Sequence, residues 1–562
     1  MRRLLLPLVL LALTACGREE PPAAAPAPAE EEAVVAHQFS AAITEADYAA
    51  HVETLASDEF EGRAPGSRGE RLTTAYLSEH FGRIGLAPGN RGEWFQAVPM
   101  VEITRPEESS LLLRQGDEEV VLAANTEVVL GSTRPVERIG IDDSAMVFVG
   151  YGIVAPEYGW NDYEGLDVTG KTVVVLVNDP GFATQDPELF RGNTMTYYGR
   201  WTYKYEEAAR QGAAAALIIH ETAAASYPWE VVFNSWTGPQ FDLPDGDNAP
   251  PRLDIQGWIS GEAAAAMFAR AGHDLSALME QASTRAFRAV DLDTTASASI
   301  GQRVRTASSN NVIGVLPGSE APEEYVLFMA HWDHLGRVFG RPGSEGIFNG
   351  AIDNATGVAA LLELAEAFAA GERPRRSLVF AAVTLEESGL LGSRWYAENP
   401  LYPLETTAAV INMDAMTVVG PTRDVVVVGY GNSELEDYLK EAAAAQNRIV
   451  VQEEHPERGY YYRSDHFNFA KAGVPALYAK GGTDHIEKGQ EYGQAIQADY
   501  NQNRYHKPSD IFDPEWDLRG VIQDIELLKT VAGRIANESR WPNWYEGTEF
   551  RAVREQSADA RQ

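Results

Sequence analysis

His331 and Asp333 stand two residues apart at the end of the apolar run Val326–Ala330, and Asp353 follows within FNGAIDNAT. Three further stretches deliver ionisable groups in the same way. Ser377–Thr384 is an apolar run followed at once by Glu386 and Glu387, Ala408–Met413 ends in Asp414, and Ala476–Lys480 leads through a polar loop to Tyr505 and His506. Neutral imidazole and carboxylate oxygen suit zinc at about 2.0–2.2 Å, and a catalytic site leaves one position open. If Asp353 bridges two zinc ions, His331 and Asp414 complete one site while Glu387 and His506 complete the other. The four positive charges of such a pair are returned by Asp353, Asp414, Glu386 and Glu387. Ions roughly 3.5–4 Å apart jointly lower the pKa of a shared water, and Glu386, beside a ligand but free of the metal, is the natural general base. Asp333 points to the same side as His331 in extended backbone and is expected to accept the second imidazole N–H. For any one of these groups a satisfied buried polar network is the competing reading. A His, Asp, Glu, Asp, His series at successive strand ends weighs against it.

The elements that must carry these groups are legible as well. The four apolar runs have the length and composition of strands buried on both faces, and in open α/β sheets ligands bind at the carboxyl edge of such strands. Asn354–Ala370 reads as the clearest helix, with Val358, Leu361, Leu362, Ala365 and Phe368 on one face and Gly371 as its C-cap. Its N-terminal dipole favours the Asp353 carboxylate. Helical patterns are also expected within Glu45–Leu86, over Leu390–Asn399 and over Asp513–Ile535. The fold class is α/β, a mixed sheet flanked by helices.

Six segments, AHWDHLG, NGAIDNATG, TLEESGLLGS, INMD, RSDHFNFAKAGVPAL and RYHKPSD, occur in that order and cover most of Ser309–Asp517. Together they resemble metallopeptidase family twenty-eight, the co-catalytic di-zinc aminopeptidases and carboxypeptidases. The resemblance implies a zinc-exopeptidase fold of the phosphorylase/hydrolase type and two zinc ions per chain on His331, Asp353, Glu387, Asp414 and His506. It further implies Glu386 as base, Tyr505 as a hydroxyl stabilising the oxyanion, and a cis peptide at Asp353–Asn354. One departure is Ile352, where many bacterial members carry an acidic residue before the bridging Asp; the ligand itself is retained. The implied activity is exopeptidase, foremost aminopeptidase, on peptide substrates. A carboxypeptidase or dipeptidase on the same metals and a catalytically silent lipid-anchored binding protein are the alternatives.

Residues 131–290 change to short strands and turns and resemble a protease-associated domain inserted into a catalytic domain of residues 38–130 and 291–545. Tyr197, Tyr198, Trp201 and Tyr203 are candidates for a lid or peptide-contacting wall, or for packing on the insert's own sheet. Arg63 and Gly66 are candidates for the cleft or for a plain turn, and Arg463 for substrate selection. His220-Glu221 lacks the closing histidine of a zincin motif. Ser464, Asp465 and His466, being adjacent, cannot form a hydrolase triad. Residues 546–562 read as a polar tail.

The formal net charge of −36 makes nucleic acid an unexpected partner. Met1–Arg3 followed by apolar Leu4–Leu13 reads as an export signal, over residues 1–15, too short to span a bilayer. It ends in Leu-Thr-Ala-Cys, which resembles a lipobox, and Cys16 is the only cysteine of the chain. The expectation is a lipid anchor at Cys16, the sole membrane contact, and a Pro/Ala/Glu tether over residues 16–37. The expected address is the bacterial cell envelope, with Gly17 compatible with the outer membrane.

Overall fold

The computed structural model describes residues 37–236, 238–246, 249–338 and 346–561. The signal, Cys16 and nearly all of the tether lie outside the described residues. No helix among the described residues is long and apolar enough to cross a membrane.

The main sheet is mixed. Its centre is parallel, in the order Arg376–Val383, Ala321–His331, Thr407–Asn412 and Ala476–Gly481. Asp424–Val427 continues it antiparallel at one side, followed by Ile449–Gln452. On the other side Arg303–Leu316, Phe95–Thr104 and Gln240–Asp242 add antiparallel strands. Three of the central strands are buried along almost their whole length, and Ala321–His331 over its last six residues, as expected when both faces are covered. Val326, Phe328 and Ala330 face a core built with Glu45–Leu55, Arg68–Ile84, Thr356–Ala370 and Arg519–Asn537. Leu327 and Met329 face the opposite core, with Tyr396 and Phe469 from Leu391–Glu398 and His466–Lys471. The period of two along one strand thus serves two cores.

Gly371 is the C-cap of the helix Thr356–Ala370, as expected, with its N–H on the Phe368 carbonyl at 3.3 Å and its backbone extended, at φ −85° and ψ −170°. The expected polar tail needs correction over its described residues 546–561: Phe550 and Arg554 are buried, and the helix Arg551–Gln556 packs onto the domain. Trp544 and Phe550 pack with ring centroids 5.0 Å apart, while Arg554 donates to the Thr407 carbonyl at 3.0 Å. A few anchors among many charges decide the packing there, and average polarity conceals them.

A second sheet of eight strands runs from Leu111–Gln115 to Val290–Gly301 and contains the parallel series Arg138–Phe148, Thr172–Leu176, Ala215–Ile219 and Ile255–Ile259. It begins and ends outside the expected limits of 131–290, because the short strands near 111–122 carry little boundary signal. The chain enters it from Phe95–Thr104 and returns along Arg303–Leu316, and these two strands pair over ten residues. Tyr197, Tyr198 and Tyr203 are buried, which leaves them no role as an open wall. Tyr197 packs on Phe467 at 5.0 Å and Tyr462 at 6.1 Å, so the aromatic loop forms a seam between the second sheet's domain and the first.

His80 gives a pH prediction away from the site. Burial, then the Arg83 charge, lowers its pKa to about 4. The unfolded chain binds the extra proton below about 6.5, so His80 contributes stability above that pH and loses it between about 6.5 and 4. The slope is at most about 1.4 kcal/mol per pH unit. Glu363, raised to about 8 by burial first, acts in the opposite direction. Denaturant melts of parent and His80→Phe across this range should diverge by the His80 contribution, the variant losing less stability on acidification.

Candidate metal centre

His331, Glu387 and Asp414 arrive at the carboxyl ends of the parallel strands, and Asp353 and His506 arrive from the connections that follow them. His331 is the last residue of its strand and pairs with Val383, so Glu386 and Glu387 emerge alongside it. Asp414 follows the neighbouring strand, which ends at Asn412. Asp353 sits in the turn before Thr356–Ala370, where the Asp353–Asn354 peptide is cis. Leu385, Ala415 and His506 all have left-handed backbone, at φ 58°, 48° and 55°. That conformation is uncommon for such residues.

The five expected ligand residues converge. His331 Nε2 lies 3.3 Å from Asp353 Oδ1 and 3.5 Å from Asp414 Oδ1. His506 Nε2 lies 3.2 Å from Asp353 Oδ2 and 3.1 Å from Glu387 Oε2. The two oxygens of Asp353 therefore face different histidines. Donors about 2.0–2.2 Å from one tetrahedral ion are separated from each other by about 3.3–3.6 Å, close to these spacings.

Hydrogen bonding supports the fit. His331 Nδ1 donates to the Asp333 main-chain carbonyl at 3.2 Å, which leaves the Nε2 lone pair facing two carboxylates without a hydrogen-bond donor between them. Three acceptors turned on one point need a cation or an added proton. Burial opposes charge on His331, but Glu386, Asp353 and Asp414 together drive its pKa well above the ordinary value. For His506, Asp353 and Glu387 likewise outweigh burial and raise it to about 10. Burial and Asp353 push Glu387 up, yet His334 and His506 hold it at about 2. The site thus draws positive charge, and metal entering it would displace protons.

The role expected for the Asp333 side chain is corrected. Its carboxylate stands 3.9 Å from His331 Nδ1, beyond hydrogen-bond range, and the backbone carbonyl takes that place. Asp333 Oδ1 instead accepts the Glu386 amide N–H at 3.1 Å, tying the base-bearing turn to the histidine strand. Burial raises the Asp333 pKa to about 7. Burial foremost, and the charges of Asp414, Glu387 and Asp465, hold Glu386 well above the usual carboxylate range. Tyr505 is 47% exposed and stacks on the His506 ring at 4.0 Å, and burial, then the Asp353 and Glu387 charges, raise its hydroxyl's pKa.

Three residues outside the expected ligand and base set complete the site. His334 is buried, with Nδ1 2.6 Å from Glu387 Oε1. It belongs to a second group of possible metal donors with Asp353 and Glu387. The 2.6 Å separation is that of a hydrogen bond, shorter than the spacing of two donors on one ion, and His506 is the other imidazole that faces the Asp353 and Glu387 carboxylates. Asp510 accepts the Ile352 and Asp353 amide N–H groups at 3.0 and 3.1 Å. Arg63, 1% exposed, donates to the carbonyls of Leu55, Trp332, Asn349 and Gly350 at 2.6–2.9 Å. It is neither a cleft residue nor a simple turn residue, but a buried brace between the turns that carry His331 and Asp353. The motif pattern includes His334 and Asp510, but nothing local distinguishes them from neighbouring polar residues. Removing such an outer partner weakens metal binding by about 10–100-fold, so Asp510→Ala is expected to lower zinc affinity by that factor in chelator competition.

Fold and donors together define an α/β protein that gathers candidate metal ligands at the carboxyl edge of a mixed sheet. Residues 311–528 match the sequence model of peptidase family M28. Mouse aminopeptidase NAALADL1 is 34% identical over 122 residues, which span 21% of this chain and 15% of the mouse protein. The glutamate carboxypeptidase 2 homolog of Caenorhabditis elegans is 31% identical over 199 residues, 34% of this chain and 24% of that protein. The chain thus spans well under half the length of these curated relatives. The aminopeptidase from Aneurinibacillus sp. strain AM-1 aligns with a TM-score of 0.46 at 20% identity, covering 88% of this chain and 94% of that one.

Proposed function

We propose that the chain is a di-zinc exopeptidase, foremost an aminopeptidase, acting on peptides outside the cytoplasm. The observation that carries this reading is Asp353, whose two oxygens face His331 and His506 at 3.3 and 3.2 Å. One zinc would be held by His331, Asp353 and Asp414, the other by Asp353, Glu387 and His506. Zinc bound there would supply Lewis acidity toward a carbonyl oxygen and toward water. Glu386, held by its amide to Asp333, takes the proton from the attacking water and delivers it to the leaving amine. The Tyr505 hydroxyl donates to the oxyanion that develops on the scissile carbonyl. Ser464 Oγ donates to Asp414 Oδ2 at 2.5 Å and fixes that carboxylate's orientation.

The names of the relatives, an aminopeptidase and a glutamate carboxypeptidase homolog, agree with an exopeptidase. The lipobox-like Leu13–Cys16 supports export and lipid attachment at Cys16. The second sheet's position as an insertion supports its assignment as a protease-associated domain. Free, N-blocked and C-blocked versions of one peptide, assayed alongside zinc content, test the activity. Loss of cleavage on N-blocking identifies an aminopeptidase, and loss on C-blocking a carboxypeptidase. No cleavage by the zinc-loaded protein would favour a binding protein.

A further inference from the structure

Asp414 stands just past the point where backbone pairing gives out. The strand Thr407–Asn412 pairs in parallel with Ala476–Gly481, and their last register pair is Asn412 with Tyr478. The second strand runs on to Gly481, whereas the first leaves the sheet through Met413 and Asp414, and Ala415 takes left-handed backbone at φ 48°. A residue with a Cβ seldom adopts that conformation unless its surroundings impose it. Past the end of the ladder, side chains meet the main-chain groups of this turn.

On one side Asn354 Nδ2 donates to the Met413 carbonyl at 3.1 Å, its Oδ1 accepts the Ala415 amide N–H at 3.1 Å, and Thr356 Oγ1 accepts the Met416 N–H at 3.1 Å. On the other side stand Tyr478 and Lys480, which the period of two places on one face of their strand. Tyr478 Oη donates to the Asp414 carbonyl at 2.9 Å. Lys480 Nζ donates to the Ala415 carbonyl at 3.1 Å and to the Asp414 carbonyl at 3.4 Å, and its bond to Tyr478 Oη at 3.2 Å joins the two side chains into one clamp. Lys480 is only partly buried. Water could satisfy carbonyls at such a position, but it would not fix their direction. The carboxylate at the other end of the same residue is held by Ser464 at 2.5 Å and lies 3.5 Å from His331 Nε2. Asp414 is therefore fixed at both root and tip, while the Glu387–His506 half of the centre has its own support in His334.

We propose that Tyr478 and Lys480 are positioning residues for Asp414. By fixing the main chain behind the carboxylate they set the affinity for the ion assigned to His331, Asp353 and Asp414, and leave the ion assigned to Asp353, Glu387 and His506 unaffected. This rests on the di-zinc reading of the centre.

Zinc binding by the parent, Tyr478→Phe, Lys480→Met and each of these combined with Asp414→Asn is to be measured in competition with chelators of graded strength. The parent should hold two ions. Loss of a group that orients a metal ligand costs about 10–100-fold in affinity, so each single variant should bind one ion weaker by that factor. The other ion should stay within about twofold of the parent, the margin for uncoupled sites. In the Asp414→Asn background the clamp has no ligand left to aim, and adding Tyr478→Phe or Lys480→Met should change the affinity of the remaining ion by no more than about twofold. A clamp that merely stiffened the fold would, when removed, weaken both ions and weaken the remaining one in the Asp414→Asn background as well. That result, or two ions held by both single variants as tightly as by the parent, would overturn the proposal and leave the di-zinc reading intact. Tyr478→Phe removes a single oxygen, so the comparison stands even where Lys480→Met fails to fold. A parent that holds fewer than two zinc ions would overturn the di-zinc reading itself, and the proposal with it.

Discussion

Replacing Glu386 with glutamine is expected to lower kcat by about 10²–10⁴-fold, the range over which a positioned acid–base group contributes. The substitution keeps the shape of the side chain and removes its ability to carry a proton. Glu386 lies outside both ligand groups, so zinc stoichiometry by metal analysis should match the parent, and KM should change far less than kcat. Because burial and the carboxylates of Asp414 and Glu387 raise its pKa in the metal-free site, the proton it carries is set by the charge around it. Bound cations draw that pKa back toward the working range. Turnover equal to the parent at full zinc occupancy would remove Glu386 from the reaction.

Asp353→Asn should have the other large effect, on metal itself. The Asp353 carboxylate faces both His331 and His506, so neutralising it removes an anion from both proposed ions at once. Taking away one partner of a buried charge pair costs about 3–5 kcal/mol, or roughly 10²–10⁴-fold in zinc affinity. In titration against a competing chelator the variant should hold less than one zinc per chain at concentrations that saturate the parent, with peptide cleavage lost in parallel. Asp414→Asn touches only one of the two groups and provides the control: it should leave the affinity of the Glu387–His506 site closer to the parent's. A variant Asp353→Asn that retains two tightly held ions would refute the bridging role.

The inserted domain is bound to the first through more than the chain connections. Tyr462 donates to the Met195 carbonyl at 3.2 Å, and Arg191 donates to Asn432 Oδ1 and the Tyr430 carbonyl at 2.6 and 2.5 Å. With the Met195 amide N–H on the Pro456 carbonyl at 3.2 Å, those contacts hold the loop at 191–195 against the first domain.

What the sequence determined by itself was whatever is written locally and repeated. Short runs such as VLFMA and LVFAAV are apolar without alternation, which only a strand covered on both faces tolerates. Imidazole or carboxylate follows at once on three of the runs, and the fourth leads through a polar loop to His506. That was enough for the parallel core, the edge at which the donors collect and the five residues that the structure brings together. Tertiary structure decided the partners. Whether His331 Nδ1 is met by the Asp333 carboxylate or its carbonyl depends on a rotation of the turn, and spacing along the chain does not encode it. Arg63 meets the Trp332 carbonyl at 2.9 Å and Asp510 meets the Asp353 amide at 3.1 Å, although long stretches of chain separate each pair. The physical reason is that a hydrophobic pattern acts through neighbours on one element, whereas a buried hydrogen bond is fixed by whichever groups the packed cores leave facing each other.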